Sequence, residues 1–570
     1  MNGQQIGQPI FILSEGSKRT RGSEAQNNNI MAAKAVAEAV RTTLGPKGMD
    51  KMLVDSMGDV IITNDGAAIL KEMDIEHPAA KMIVEISKTQ DSEVGDGTTT
   101  AAVLAGELLS KAESLLEEGV HPTVIASGYI LASEKANEIV KNMALTVTPE
   151  NKDILKKIAE TAITGKGAEF DKEKLADLTV DAVLSIIKKL PNGKINADTS
   201  KIKVEKRAGG SISDSIMIDG VLIDKERVHP NMPTKIEDAK ILLLSIPIEY
   251  KKTEAKSEIK ITSPEQMMGF IEQEESMLKE IINKVIISGA NVVFCQKGID
   301  DLAQYYMAKA GILAARRIKQ SDMNRLAEAT GAKIITNINE ISDIDIGKAG
   351  VVEEKETNGS KMIYVTKCSK TKNVSLLLRG GTEHVVESLD RAIEDAIRVV
   401  GVALEDQKIV VGGGAPEIEL SLRLQEYAST LDGREQLAVS KFAEALEIIP
   451  QTLAENAGLD PINMLAELKS SHELGNKNYG LNVYIGKVED MYNNSVLEPL
   501  RIKTQAITSA TEATTMILRI DDVIASSKQQ LPGADSDPSM QWLISYLEIL
   551  ILIFQYILIY IFHFLVSILF

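Results

Sequence analysis

At 570 residues the chain is too long for a single hydrophobic core, and roughly two to four domains are expected. Its composition, 44% hydrophobic and 25% charged, is that of an ordinary globular protein, and a net charge of −18 excludes a general nucleic-acid binder, which needs clustered Lys and Arg. Cys295 and Cys368 stand far apart with no His pair nearby, which predicts two free thiols in a reducing compartment rather than a disulfide framework.

The chain opens without a secretory pattern: Ile10-Phe11-Ile12-Leu13 is too short for an apolar signal region, so a cytoplasmic protein is expected. Ile30, Ala33, Val36, Ala37, Val40 and Leu44 then follow helical spacing, and Gly45-Pro46 is expected to stop that helix. Met52-Leu53-Val54 and Val60-Ile61-Ile62, separated by Ser56-Met57-Gly58, predict a hairpin, and Asn64-Asp65-Gly66 reads as a turn. Pro78 suits the first turn of a helix that carries Met82, Ile83 and Ile86 on one face.

The next segment, Gly95-Asp96-Gly97-Thr98-Thr99-Thr100, combines three devices for holding a phosphate. Its glycines let backbone N–H groups approach an anion closely. Its threonines open an Ala/Leu-rich helix ending near Gly119, whose positive end faces the same anion. Asp96, between the glycines, is a hard oxygen ligand suited to Mg²⁺ and out of place beside a bare phosphate. A nucleoside triphosphate bound with its magnesium reconciles the two.

The middle of the chain alternates between strands and helices. Ile241 to Leu244 and Asn291 to Phe294 predict buried strands, and Asp300 to Ala310 a helix. Ser321 is expected to cap a further helix that closes at Gly331, ahead of a strand at Lys333-Ile334-Ile335. That alternation implies an α/β module. Between its first two strands lies Tyr250 to Lys260, in which eight of eleven residues are Lys, Glu, Ser or Thr. Ser263-Pro264-Glu265-Gln266 follows as a capping box, starting a helix with Met267, Ile271, Leu278, Ile281 and Val285 that Gly289 ends. Met267, Met268 and Phe270 place flexible thioethers and an aromatic after a polar run, which suits an adaptable apolar tip.

A long helix carries Leu389, Ile393, Ile397, Val400 and Leu404 on one stripe, with Asp395 off it, as a solvated residue would be. Ile409-Val410-Val411 predicts a short buried strand, followed by Gly412-Gly413-Gly414 and a helix from Pro416. Three glycines between strand and helix suggest close approach to a ligand. A P-loop is excluded, since no Gly-x-x-x-x-Gly-Lys-Ser/Thr run occurs, and Thr100 replaces the third glycine of a dinucleotide-binding fingerprint. Two phosphate elements some three hundred residues apart, serving one nucleotide, imply a domain built from both chain ends with the rest inserted into it.

Leu44-Gly45-Pro46-Lys47-Gly48, Asn64-Asp65-Gly66, Gly95 to Thr99, Gly165-Lys166-Gly167 and Gly412 to Gly414 stand in the order and spacing of a group II chaperonin subunit. From about Ser23 to Ala525 the chain resembles an archaeal thermosome subunit, a relative of the eukaryotic cytosolic chaperonin. The resemblance implies an α+β multidomain fold. A mainly helical equatorial ATP-binding domain would comprise residues 1–145 and 402–525, and an intermediate hinge domain 146–215 and 365–401. The inserted α/β apical domain would be 216–364, with a helical protrusion at about 245–280 serving as a built-in lid.

The resemblance also implies roles. Asp65 and Asp395 are nominated to handle the attacking water. Leu44, Gly45, Pro46, Gly95, Asp96, Gly97, Thr98, Thr99, Lys166, Gly412, Gly413, Gly414 and Glu498 would hold the nucleotide, with Asp96 on Mg²⁺, Lys166 sensing the γ-phosphate and Glu498 accepting from ribose hydroxyls. A catalytic acid on the hinge would gate hydrolysis by domain closure. ATP and Mg²⁺ are the implied cofactors. The implied partners are non-native polypeptides and like or unlike subunits in a stacked double ring.

Two other classes compete. A small-molecule kinase or ligase would need a second convergent polar pocket, and the sequence shows none. A membrane-tethered interaction protein would make the tail central. Ser526 to Met540 reads as a flexible linker, and from Ile549 to Phe570 no Asp, Glu, Lys or Arg occurs, which meets the criterion for a membrane span. Residues 526–570 depart from the family's short tails. A frameshifted or mispredicted terminus is the expectation there, with a tail anchor as the alternative.

Overall fold

The computed structural model describes residues 18–54, 57–167, 171–191, 193–249, 264–357, 359–368 and 373–525. Chain contacts divide it into two units, Met1–Ala25 with Ile520–Phe570, and Gln26–Arg519. In the first unit, strand Lys18–Arg21 pairs antiparallel with Asp522–Ala525, and the Arg19 guanidinium meets the Asp522 carboxylate. Ser526 to Phe570, and with them the apolar tail, lie outside the described residues.

The second unit holds several hydrophobic cores. One is helical and drawn from both ends of the sequence: Ile30, Val40, Leu104, Leu108 and Tyr129 pack with Phe442, Leu446, Ile507 and Leu518. Tyr129 and Phe442 meet edge to face, their centroids 5.5 Å apart. Helices Pro78–Val94, Thr98–Glu117, Pro122–Met143 and Leu500–Leu518 build most of this core. The first helix, Ser23–Arg41, ends three residues before Leu44, earlier than the apolar spacing predicts. There the Asn456 side chain donates to the carbonyls of Arg41 and Leu44, at 3.2 and 2.9 Å, and the chain turns away. Strands Lys51–Val54 and Val60–Thr63 form the expected hairpin.

A second core joins helices Lys152–Ile163 and Lys172–Ile186 to the long helix Glu383–Asp406. Leu389, Ile393, Ile397, Val400 and Leu404 are all buried there, each contributing about 1.5–3 kcal/mol of transfer energy.

Among the described residues a nine-stranded mixed sheet runs Leu313–Ala315, Val292–Cys295, Lys235–Leu244, Gly347–Thr357, Ser360–Cys368, Ile216–Ile223, Val374–Gly380 and Ile202–Ala208, with Ile334–Ile335 also on Lys235–Leu244. Lys235–Leu244 and Leu313–Ala315, each parallel to Val292–Cys295 between them, make up the α/β module. Alternate residues of Lys235–Leu244 feed two clusters: Ile241 and Leu243 pack with Phe294, Leu242 and Leu244 with Val293 and Leu278.

Helix Gln320–Thr330 starts with Lys319, not Ser321, at its N-cap and has no side-chain cap there; Gly331 closes it in the left-handed conformation, as expected. The described part of helix Pro264–Ile287 begins at Pro264 and buries Leu278, Ile282 and Val285, while Met268 is exposed. Residues 250–263, including Ser263, and the side chains of Met267 and Phe270 fall outside the described residues.

Candidate active site

Gly95-Asp96-Gly97 is the link between two helices, and the backbone requires its glycines. Gly95 closes helix Pro78–Val94 at φ +83°, and Gly97 opens helix Thr98–Glu117 at φ +79°. A Cβ on Gly97 would lie 2.8 Å from Ile502 Cγ2, and one on Gly95 2.6 Å from Arg398 Cβ. Gln90 fixes the link by donating to the carbonyls of Asp96 and Ile502, at 2.9 and 3.2 Å. No side chain caps helix Thr98–Glu117. Its first-turn amides therefore lack intrahelical partners, and Thr98, Thr99 and Thr100 line a cavity of about 370 Å³.

The second glycine run meets the same cavity. Strand Lys408–Val411 leads through Gly412-Gly413-Gly414 into helix Ala415–Ala428, which starts one residue before Pro416 and also has no side-chain cap. Gly413 and Gly414 line the cavity. Gly412 lies behind its wall and donates to the Val496 carbonyl at 2.9 Å. Leu44, Gly45 and Pro46 line the cavity, as do Ile449, Leu453, Leu481, Val483 and Met491, apolar side chains that suit a flat base.

Carboxylates and a lysine gather beside the first glycine run. Asp65, expected as a turn residue, is the N-cap of helix Gly66–Glu72. Its carboxylate accepts from the amides of Ala67 (3.3 Å) and Ala68 (2.8 Å) and from Thr98 Oγ1 (3.2 Å). Gly165-Lys166-Gly167 follows helix Lys152–Ile163, and Asn64 and Ser388 hold it by donating to the carbonyls of Gly165 and Lys166. Lys166 Nζ lies 2.7 Å from Asp395 Oδ2 and 3.4 Å from Asp96 Oδ1. Asp395 is therefore not the solvated residue its place off the apolar stripe suggests: it is 9% exposed. Burial pushes its carboxyl up to about 7, against the pull of Lys166 and with help from Asp65 and Asp96. Asp395 and Gly95 do not line the cavity; Asp65, Asp96, Lys166 and Glu498 do.

Glu498 sits on strand Leu497–Pro499, paired with Val410 of the strand before the glycine run. Lys503 Nζ joins it, 3.0 Å from Glu498 Oε2 and 2.9 Å from Glu417 Oε1. Sequence reasoning missed Lys503 and Glu417, yet a signal existed: Lys503 shares the stripe of Ala506, Ile507 and Ala510, where a charge needs a reason.

Among the described residues no cluster of three or more His, Cys, Asp or Glu is arranged to hold a metal. Asp96 on the cavity wall fits Mg²⁺, which takes one or two carboxylates and completes its shell with phosphate oxygens and water. No helix of the described residues is long and apolar enough to cross a membrane.

Comparison with known proteins bears on most of the chain. The model of the TCP-1/cpn60 chaperonin family matches residues 36–528. A thermosome subunit beta from Archaeoglobus fulgidus is 61% identical over 520 residues, covering 91% of this chain and 95% of the relative. A thermosome subunit from Methanocaldococcus jannaschii is 58% identical over 523 residues, covering 92% and 96%. The open-state monomer of a group II chaperonin from Methanococcoides burtonii is 60% identical, with a TM-score of 0.59 over 75% of this chain and all of that one. Two glycine runs converging on one cavity and identity at this level lead to one assignment: the chain belongs to the TCP-1/cpn60 chaperonin family, as a group II subunit similar to thermosome subunits.

Proposed function

We propose that this chain is an ATP-hydrolysing subunit of a ring chamber that encloses and folds non-native polypeptides. The coarse role, a chaperone in protein folding, follows from the family; the rest is inferred from the site. The observation that carries the reading is Lys166, held at once by Asp96 of the phosphate loop and Asp395 of the long helix. One lysine thereby ties a helix that leads out of the nine-stranded sheet, directly after strand Val374–Gly380, to the nucleotide cradle.

The amides opening helices Thr98–Glu117 and Ala415–Ala428 would bind phosphate oxygens, Leu44 and Pro46 the base, and Glu498 the ribose. Asp96 would carry Mg²⁺, which when bound neutralises charge on the β- and γ-phosphates. Lys166 would leave the carboxylates for the γ-phosphate, and Asp395 is then free to orient water and accept its proton. The water oxygen bonds to the γ-phosphorus as the bond to the β-phosphate oxygen breaks. Asp65, fixed by three donors, would share that water.

In this reading residues 1–145 and 402–525 form the nucleotide domain, 146–215 and 365–401 the hinge, and 216–364 the apical domain. The tip bearing Met267, Met268 and Phe270 would act as the lid, in stacked double rings of cytoplasmic location.

The test compares two variants. Asp395→Ala is expected to bind Mg-ATP normally and lose at least 10²-fold in turnover, the span of a positioned general base. Asp96→Ala is expected to weaken Mg-ATP binding itself. Turnover within about twofold of the unsubstituted protein in Asp395→Ala, or calorimetric binding unchanged in Asp96→Ala, removes the corresponding role.

A further inference from the structure

Lys503, Glu417 and Glu498 form a buried charged triad under the cavity wall, and only Lys503 and Glu498 line the cavity. Three ionic groups with one net negative charge are a poor way to stabilise a core. An apolar trio of similar volume serves as well or better. Their side chains are only 9%, 5% and 18% exposed, for Lys503, Glu417 and Glu498 in turn. The second oxygen of Glu417 has no hydrogen-bond partner among the described residues, so Lys503 is the close compensating charge for both acids. Their separate elements fix the geometry. Glu498 is held by strand pairing to Val410, Glu417 sits in the first turn of helix Ala415–Ala428, and Lys503 lies one turn into helix Leu500–Leu518. Gly412 leaves room for the acid, since a Cβ there would stand 2.6 Å from Glu498 Oε1.

We infer that Lys503 is a positioning residue: gripped between Glu417 and Glu498, it keeps the Glu498 carboxylate aimed and ionised to accept the two sugar hydroxyls of a bound nucleotide. The inference rests on the reading of the cavity as a nucleoside triphosphate site. A vicinal diol offers two donors, and a carboxylate receives both only while ionised. Burial drives the Glu498 carboxyl upward, the Lys503 ammonium opposes that, and Glu417 adds to it. Without Lys503, burial and the charge of Glu417 favour the protonated form of Glu498, which turns a donor toward the sugar.

The experiment measures the affinity of the assembled full-length protein for ATP and for 2′,3′-dideoxy-ATP, with KM and kcat for ATP. The unsubstituted protein is expected to prefer ATP by roughly 10- to 100-fold, the worth of charge-assisted hydrogen bonds. In Lys503→Met that preference is expected to collapse to within about threefold, with the dideoxy nucleotide bound as before and kcat at saturation little changed. Lys503→Arg should restore most of the preference. Equal weakening toward both nucleotides, or a preserved preference, makes Lys503 merely structural and overturns the inference. Should Lys503→Met fail to assemble, Glu417→Gln decides. It leaves Lys503 to Glu498 alone, so the preference should equal or exceed that of the unsubstituted protein, and a smaller one overturns the inference. If the unsubstituted protein binds both nucleotides equally, Glu498 does not read the sugar and the inference fails while the ATP site stands. If it binds neither, the reading of the cavity fails first.

Discussion

At Asp395, burial and charge pull in opposite directions. Removal from water, with Asp65 and Asp96 nearby, outweighs the one ammonium of Lys166 and pushes the carboxyl up to about 7. Burial also opposes the charge on Lys166, but Asp395 and Asp96 more than offset it and hold the ammonium protonated. In the unfolded chain the carboxyl ionises near pH 4. Folding therefore takes up a proton between about pH 4 and 7, and the associated stability is complete below that window and lost as pH rises through about 7. Asp395→Asn removes the titrating group. It should accordingly gain on the unsubstituted protein by roughly 2–3 kcal/mol between pH 5 and pH 8, read as a widening difference in Tm. A difference that stays flat over that range means Asp395 ionises as an ordinary surface carboxyl. None of this is legible in the helical pattern, which marks the residue as solvated. The pattern describes a helix and its own core; the partner that buries Asp395 arrives from a loop 229 positions away in sequence. Lys503 was unread for a different reason: its position on an apolar stripe was visible, and its two partners were not.

Elements closed by glycine and proline were the readable ones. Gly95 and Gly331 end helices in left-handed geometry, and Pro78 sits at the start of its helix, because few residues meet those backbone demands. Ser321 is not the cap its position suggests, since a serine caps a helix only if its oxygen reaches an amide, and here the chain is already helical at Gln320. Strand order was not legible: Val374–Gly380 pairs parallel with Ile202–Ala208 across 172 positions at the first aligned pair, Val374 with Ile202, and short apolar runs do not encode such register. The helix Pro264–Ile287 carries a prediction of its own. Among its described side chains the first buried one is Leu278, and Met268 is exposed. Deleting residues 250–274 should therefore leave ring assembly and ATPase activity largely intact, because no described strand and no cavity residue is removed. Refolding of a captured polypeptide, and ATP-induced protection against protease, should both be lost. Unimpaired refolding by the truncated ring, with nothing added to cap it, would show that closure does not depend on this segment.

On the scale of the whole molecule, the family match stops at residue 528, and the helical core of Ile30, Tyr129, Phe442 and Leu518 is complete before that point. Among the described residues, nothing in the cavity wall comes from beyond Lys503. Ring assembly and nucleotide turnover should thus be indifferent to removal of residues 531–570. The 22 residues from Ile549 to Phe570 carry no Asp, Glu, Lys or Arg and have the length and composition that seek a bilayer. Every subunit of a ring would carry one copy, and together they would present an apolar surface far above the few hundred Å² that proteins ordinarily leave in water. Full-length protein should therefore float with lipid vesicles in a density gradient or pellet as aggregate, whereas the form ending at Gln530 stays at the bottom as dispersed, active rings. Equal dispersion and equal activity of the two forms would mean that the assembly shelters these segments, and the chamber would then have to be drawn with room for them.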